Sequence, residues 1–169
     1  MSGWWAAAFV VQWILLGVLA VVVVALARQI GVLHLRLAPV GALEIDDEGP
    51  ALGDAIAPHA ATGRDGTTLL VGGPGARRVL AFVSPTCPLC ERILPSLPAA
   101  ARATGFVAQV ISDPDAERTF DVPGVPFVVV LDEMGAVRAK GTVNSLEQLE
   151  GLIDTATRRI ENAEELRAV

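Results

Sequence analysis

Val79-Leu80-Ala81-Phe82-Val83-Ser84-Pro85-Thr86-Cys87-Pro88-Leu89-Cys90 is an apolar run followed closely by both cysteines of the chain. Residues 79–83 show no polar alternation, which is the pattern of a strand covered on both faces. The pattern then calls for a helix that opens at Cys87, with Cys90 one turn inside on the same side. Unpaired N–H groups and the helix dipole favour negative charge at that end. Thiolates in Cys-x-x-Cys motifs titrate at roughly 3.5–7, against about 8.5 for a free thiol. Pro88 suits the first helical position, which needs no N–H donor. With no third thiol to compete, the pair reads as an exposed nucleophile backed by a resolving thiol. The plainer alternative is a static disulfide, although a buried structural pair has no reason to open a helix directly after a strand.

Working outward, residues 87–103 read as a helix interrupted at Pro95 and Pro98. Phe106-Val107-Ala108-Gln109-Val110-Ile111 reads as a second strand. A short helix is expected within 112–121, with Ser112 or Asp113 as N-cap and Pro114 in its first turn. Residues 127–131 and 136–140 flank Asp132-Glu133-Met134-Gly135, a turn with glycine last, and so predict a β-hairpin. Ser145-Leu146-Glu147-Gln148 is a capping box opening a helix whose Leu146, Leu149, Leu152, Ile153 and Ile160 follow helical spacing. Upstream, residues 67–71 form one plausible strand, and Gly72-Gly73-Pro74-Gly75 reads as a hairpin connection rather than a phosphate loop, since it lacks Gly-Lys-Ser/Thr. The order strand–helix–strand–short helix–strand–strand–helix predicts an α/β domain. Its mixed central sheet has the first two core strands parallel and helices on both faces. The cysteines fall at the C-terminal end of the first core strand, where open α/β sheets place their sites.

Trp4 to Ala27 carries no charged residue, and Gln12 is its only strongly polar side chain. About 20 apolar residues span a bilayer as a helix, so 4–27 predicts a transmembrane anchor. A cleaved signal peptide is the alternative, with Ala25-Leu26-Ala27 as its cleavage site. The segment lacks a basic leader and exceeds the usual apolar core of roughly 7–15 residues. The expected organisation is a tail at 1–3, the anchor, a juxtamembrane helix and linker at 28–49, the domain at 50–160 and a tail at 161–169. The leucines of 28–38 are expected at the lipid interface or against a neighbouring helix, Pro39 and Gly41 end that segment, and residues 46–50 form a solvated acidic linker. Arg28 and Arg36 follow the anchor, a bias that taken literally leaves the domain cytoplasmic, and two arginines leave the side open. The net charge is −6, with only 13 Lys and Arg against 19 Asp and Glu. No basic stripe with interleaved aromatics appears, which excludes nucleic acid as a partner.

The element order, with Ser84-Pro85-Thr86-Cys87-Pro88-Leu89-Cys90 and Val122-Pro123-Gly124-Val125-Pro126-Phe127, resembles the thioredoxin fold, and specifically its membrane-anchored TlpA-like redoxins. A narrower resemblance lies in Ala27-Arg-Gln-Ile-Gly-Val-Leu-His34, Ala38-Pro-Val-Gly-Ala-Leu43, residues 82–90 and Arg138-Ala-Lys-Gly-Thr-Val-Asn-Ser145, which are similar to the MauD family of methylamine dehydrogenase accessory proteins. It implies a single-pass protein of the bacterial inner membrane whose domain faces the periplasm or cell exterior. It also implies thiol–disulfide exchange on cysteine-rich protein substrates, with Cys87 and Cys90 catalytic and no cofactor beyond their redox-active disulfide. A membrane thiol donor or acceptor would supply or take electrons. The resemblance further implies a cis-proline facing the pair, which Pro126 after Val125 matches; Pro88 and Thr86 flank the cysteines as support.

The chain also departs from these patterns. Ala81 stands where thioredoxins carry a buried acid, which leaves proton transfer to water or to Glu91, itself read first as an exposed first-turn helix residue. Thr86 replaces the tryptophan, and the segment between Ile111 and Phe127 is shorter than in MauD-like proteins. A redoxin-like copper chaperone or a non-catalytic interaction module is the alternative. The chaperone needs a histidine beyond the pair, and both His34 and His59 precede it. A peroxiredoxin would carry proline where Leu80 stands.

Overall fold

A computed structural model describes residues 3–36 and 48–167 as two separate units. The first is helix α1 (Gly3–Arg36). Its segment Gly3–Val23 is long and apolar enough to cross a membrane, and the side chains described along it are exposed. At 1.5 Å per residue that segment spans about 30 Å, the thickness of a hydrocarbon core. The helix carries on past Ala27, as expected. The leucines assigned to an interface, the Pro39–Gly41 stop and Asp46-Asp47 lie outside the described side chains or residues.

The second unit begins with a small antiparallel hairpin, β1 (His59–Thr62) and β2 (Thr68–Val71). The chain then enters a four-stranded sheet through β3 (Arg78–Phe82), followed by α2 (Pro88–Ile93), α3 (Leu97–Ala103) and β4 (Val107–Ile111). Helix α4 (Pro114–Thr119), strands β5 (Phe127–Leu131) and β6 (Val137–Thr142) and helix α5 (Leu146–Arg167) complete it. The strand order is β4-β3-β5-β6, with β3 parallel to β4 and antiparallel to β5, and β5 antiparallel to β6. This is the predicted mixed sheet.

Alternation along β3 splits the core. Val79, Ala81 and Val83 face α2, α3 and α5, where Cys90, Leu97, Ala101, Leu149, Leu152 and Ile153 meet them. Leu80 and Phe82 face Ala61 and Val71 of the hairpin and Ala116 and Phe120 beside α4, with the Phe82 and Phe120 rings 5.1 Å apart. Each buried Leu, Ile or Phe contributes about 1.5–3 kcal/mol, so helix positions follow from which strand residues they cover. Leu146, assigned by spacing to the apolar face of α5, is exposed instead.

Local chemistry fixes the helix ends. Pro95 has no N–H to continue α2, and Pro98 sits in the first turn of a separate α3 rather than kinking one long helix. Asp113 caps α4 through the N–H groups of Asp115 and Ala116. Ser145 Oγ accepts from Gln148 N–H at 3.3 Å, while Gln148 Oε1 returns to the N–H of Asn144, one residue earlier than in the usual box. Two further expectations are corrected. Gly72–Gly75 joins no hairpin, because β2 pairs with β1 and the glycines carry the chain from one sheet to the other. The hairpin turn is at 63–66 instead, where Gly63 N–H donates to Thr67 C=O. Helix α5 also runs past Ile160 to Arg167, held there by Arg77 donating to Glu164 at 2.9 Å.

Candidate active site

The apolar strand β3 delivers the chain to the sheet's C-terminal end, where Cys87 N–H donates to Ser84 C=O at 3.1 Å. That turn makes Cys87 the N-cap of α2, with φ −95° and ψ 105°, and places Pro88 in the helix's first turn. Cys87 Sγ accepts from the N–H of Cys90 at 3.2 Å, so a sulfur occupies the position of a capping oxygen. The two cysteines form a disulfide with Cα atoms 5.3 Å apart. Their surroundings differ. Cys87 is half-buried, whereas Cys90 is 0% exposed, inside the cluster that includes Ala81, Val83, Ile93 and Leu97.

Thr86 is exposed, and its hydroxyl lies 3.1 Å from that of Ser84, which bridges the loop ahead of Cys87. On the neighbouring strand, Phe127 stands opposite Phe82, so residues 125 and 126 arrive at the same end of the sheet as Val83 and the cysteine loop. The Val125–Pro126 peptide is cis. Pro126 is buried and its C=O accepts from Val143 N–H at 3.3 Å, while Val125 packs against the same cluster as Cys87 and Leu89. The six residues named in advance thus gather at one end of the sheet, Cys90 and Pro126 buried and the others around the rim. Residues 84–89 and 122–126 carry no charge, so this rim is electrically quiet.

Glu91 points outward from α2 and lies 3.9 Å from Arg64, with 65% of its side chain exposed. Arg64 was not anticipated. It comes from the β1–β2 turn, which a bridge between Gly63 and Ile111 lays along the outer side of β4. Only this non-local pairing, invisible in local sequence, puts it beside the cysteine helix. Asp113 helps to hold that turn region. The N–H groups of Thr62, at 2.8 Å, and of Asp115 keep its carboxyl below the usual carboxylate range. Among the described residues no group of three or more His, Cys, Asp or Glu is placed to hold a metal ion.

No family model matches the chain. Curated relatives do. The methylamine utilization protein MauD of Methylorubrum extorquens is 35% identical, over 86% of this chain and 83% of its own length. The chain belongs to the MauD family. The Paracoccus denitrificans member is 32% identical over 91% of this chain and 90% of its own. Among solved structures, a protein from Chlorobium tepidum provisionally named thiol:disulfide interchange protein DsbE matches with TM-score 0.50 and 22% identity, over 63% of this chain and 97% of that one. A Bacteroides thetaiotaomicron protein provisionally named a protein disulfide isomerase gives TM-score 0.53 at 12% identity, covering 69% and 94%. At such identities the likeness speaks for the fold, which is thioredoxin-like.

Proposed function

We propose that this MauD-family chain is a membrane-anchored thiol–disulfide oxidoreductase acting on extracytoplasmic proteins. The observation that carries the reading is the unequal placement of its two sulfurs, Cys87 reachable at a helix N-terminus and Cys90 buried one turn behind. In the reducing direction, the Cys87 thiolate attacks one sulfur of a substrate disulfide and expels the other as a thiolate. Cys90 then gives up its proton, attacks Cys87 Sγ, releases the second substrate thiolate and closes the Cys87–Cys90 bond. Two electrons pass to the substrate, and a membrane thiol donor must return two to reopen the pair; oxidation of a substrate dithiol runs the same steps backwards. Val125 and Pro126 would present backbone to an extended substrate segment, Pro88 would set the first turn, and Thr86 would hold the loop.

The name of the relatives points to methylamine utilization, and the family resemblance directs the activity to a cysteine-rich periplasmic enzyme, methylamine dehydrogenase or one like it. Helix α1 would anchor the chain in the inner membrane once, with the redoxin domain outside. The decisive test is Cys90→Ser in cells that make the substrate enzyme. It should accumulate a mixed disulfide through Cys87 that reducing agent dissolves, and no Cys87-linked partner would refute the reading. A membrane-impermeant maleimide, applied to intact cells after an impermeant phosphine, should label Cys87; labelling only after lysis would place the domain on the cytoplasmic side.

A further inference from the structure

Strand β4 is the outer edge of the sheet, and its hydrogen bonds show what that edge still offers. Val107 N–H donates to Arg77 C=O at 2.8 Å, and Ile111 C=O accepts from Val83 N–H at 2.9 Å. Backbone groups alternate sides along a strand, so residues 107, 109 and 111 are spent on β3, and those of Ala108 and Val110 face outward. The β1–β2 turn covers only the far end of this edge. Ser112 N–H reaches Thr62 C=O at 3.1 Å and Arg64 N–H reaches Val110 C=O at 3.1 Å, and then the chain turns away at Asp65-Gly66. Val110 N–H and both backbone groups of Ala108 have no hydrogen-bond partner among the described residues.

Ala108, Gln109 and Val110 form the floor of an open groove of about 670 Å³. One wall is Leu94 and Pro95 at the corner between α2 and α3; the other is Thr67 and Leu69 of the hairpin. Gln109, on the hairpin side, donates its amide to Leu70 C=O at 3.4 Å, while its own Oε1 is buried with no partner among the described residues. The groove lies beside the cysteines in the chain's own terms. Leu94 N–H bonds Cys90 C=O at 3.0 Å, and Arg64 spans from the groove toward Glu91.

We infer that this groove receives an extended, unfolded segment of the protein substrate, which adds to β4 as a further strand where the Thr62–Arg64 pairing stops. The occupant follows from the floor. Donors and acceptors at strand spacing, continuing a pairing already begun, match a polypeptide backbone, and two or three rungs fit a three-residue edge of about 10 Å. Apolar walls take its alternate side chains, and Gln109 Oε1 gains a donor. This deepens the oxidoreductase reading and rests on it: a substrate held here has its reacting cysteine brought within reach of Cys87 from the side opposite Val125.

The test uses the full chain in detergent micelles as the Cys87→Ser/Cys90→Ser variant, with reduced, carboxymethylated ribonuclease A as the probe. This unfolded probe holds neither disulfide nor free thiol. Binding should slow amide exchange at Ala108 and Val110 by about tenfold or more, while Gln109 and Ile111, already bonded to β3, stay unchanged. Ala108→Pro deletes an outward N–H and leaves the ladder to β3 intact, and should weaken probe binding by about tenfold. Thr67→Trp, which fills the groove from an exposed position, should do the same without touching the core. Absence of binding, protection confined to other sites, or unaltered affinity in both variants would overturn the inference. No sulfur reacts in this assay, so such a failure leaves the cysteine chemistry standing, and failure of the Cys90→Ser trap is read separately.

Discussion

Reduced chain treated with iodoacetamide at pH 7 should lose Cys87 far faster than Cys90. A thiol at a helix N-terminus with pKa at or below about 7 is about half ionised or more, whereas one at about 8.5 is about 3% ionised. Ionisation alone therefore favours Cys87 by about sixteenfold. Part of that is returned, because a less basic thiolate is a weaker nucleophile. With a Brønsted coefficient of about 0.4–0.5 the loss is about four- to sixfold, which leaves about three- to fourfold. Burial supplies the larger factor. Cys90 has 0% exposure and lies among Ala81, Val83, Ile93 and Leu97, so the reagent reaches it only when the end of α2 opens. An opening that costs about 2.8 kcal/mol, well within a domain stability of about 5–15 kcal/mol, slows the reaction by about a hundredfold. The expected ratio is on the order of a few hundred, read by mass spectrometry of the peptide carrying each alkylated cysteine over time. A ratio near three would mean that Cys90 is not shielded and that ionisation alone separates the two. Faster loss of Cys90 would reverse the roles given to the sulfurs.

Asp132 sits at the other end of the sheet, where its Oδ1 accepts from Met134 and Ala136 N–H at 2.9 Å each and its Oδ2 takes Arg138 Nε at 2.8 Å. Asp132→Ala strands a largely buried guanidinium and should cost about 3–5 kcal/mol in urea unfolding, with disulfide exchange by the surviving folded fraction unchanged. Burial pushes this carboxyl up, but the Ala136 N–H and Arg138 outweigh it and leave it below the usual range. Its contribution is therefore full above the unfolded value near pH 4 and fades as the pH falls through the lower folded value, so acid titration of the variant should lack that loss. Gly135 has φ +76°, and a Cβ there would meet Gly73 O at 2.6 Å, so Gly135→Ala should lower stability by about 2 kcal/mol or more without altering Cys87 alkylation. Glu91→Gln should change the exchange rate by less than about twofold, because an exposed carboxylate facing Arg64 at 3.9 Å contributes little. A tenfold loss with an altered pH profile would instead make Glu91 the proton carrier.

What could be read from sequence here is what a few neighbouring residues decide among themselves. The continuous apolar run of β3, the cysteines after it, the Asp132–Gly135 turn and the Ser145 cap are each settled within about one helical turn or one strand length, and each stands where local chemistry places it. What escaped is non-local. His59-Ala60-Ala61-Thr62 has weak strand propensity and becomes β1 only because Leu69 and Val71 offer it a partner. The glycines at 72 and 73 look like a hairpin turn, yet their left-handed conformations serve to lift the chain between two sheets. Arg64 reaches the cysteine helix only through pairing with a strand more than forty residues away. The same division runs through the proposed function. The sulfur chemistry needs a helix N-terminus and one turn of spacing, which a short motif encodes completely. Choice of substrate would fall to surfaces on either side of that motif, the Val125–Pro126 rim and the β4 groove, and both are assembled from segments distant in the chain. On the proposed reading, changes in the hairpin or in the short crossover after β4 would redirect the chain to another protein while Cys87-Pro88-Leu89-Cys90 stays as it is.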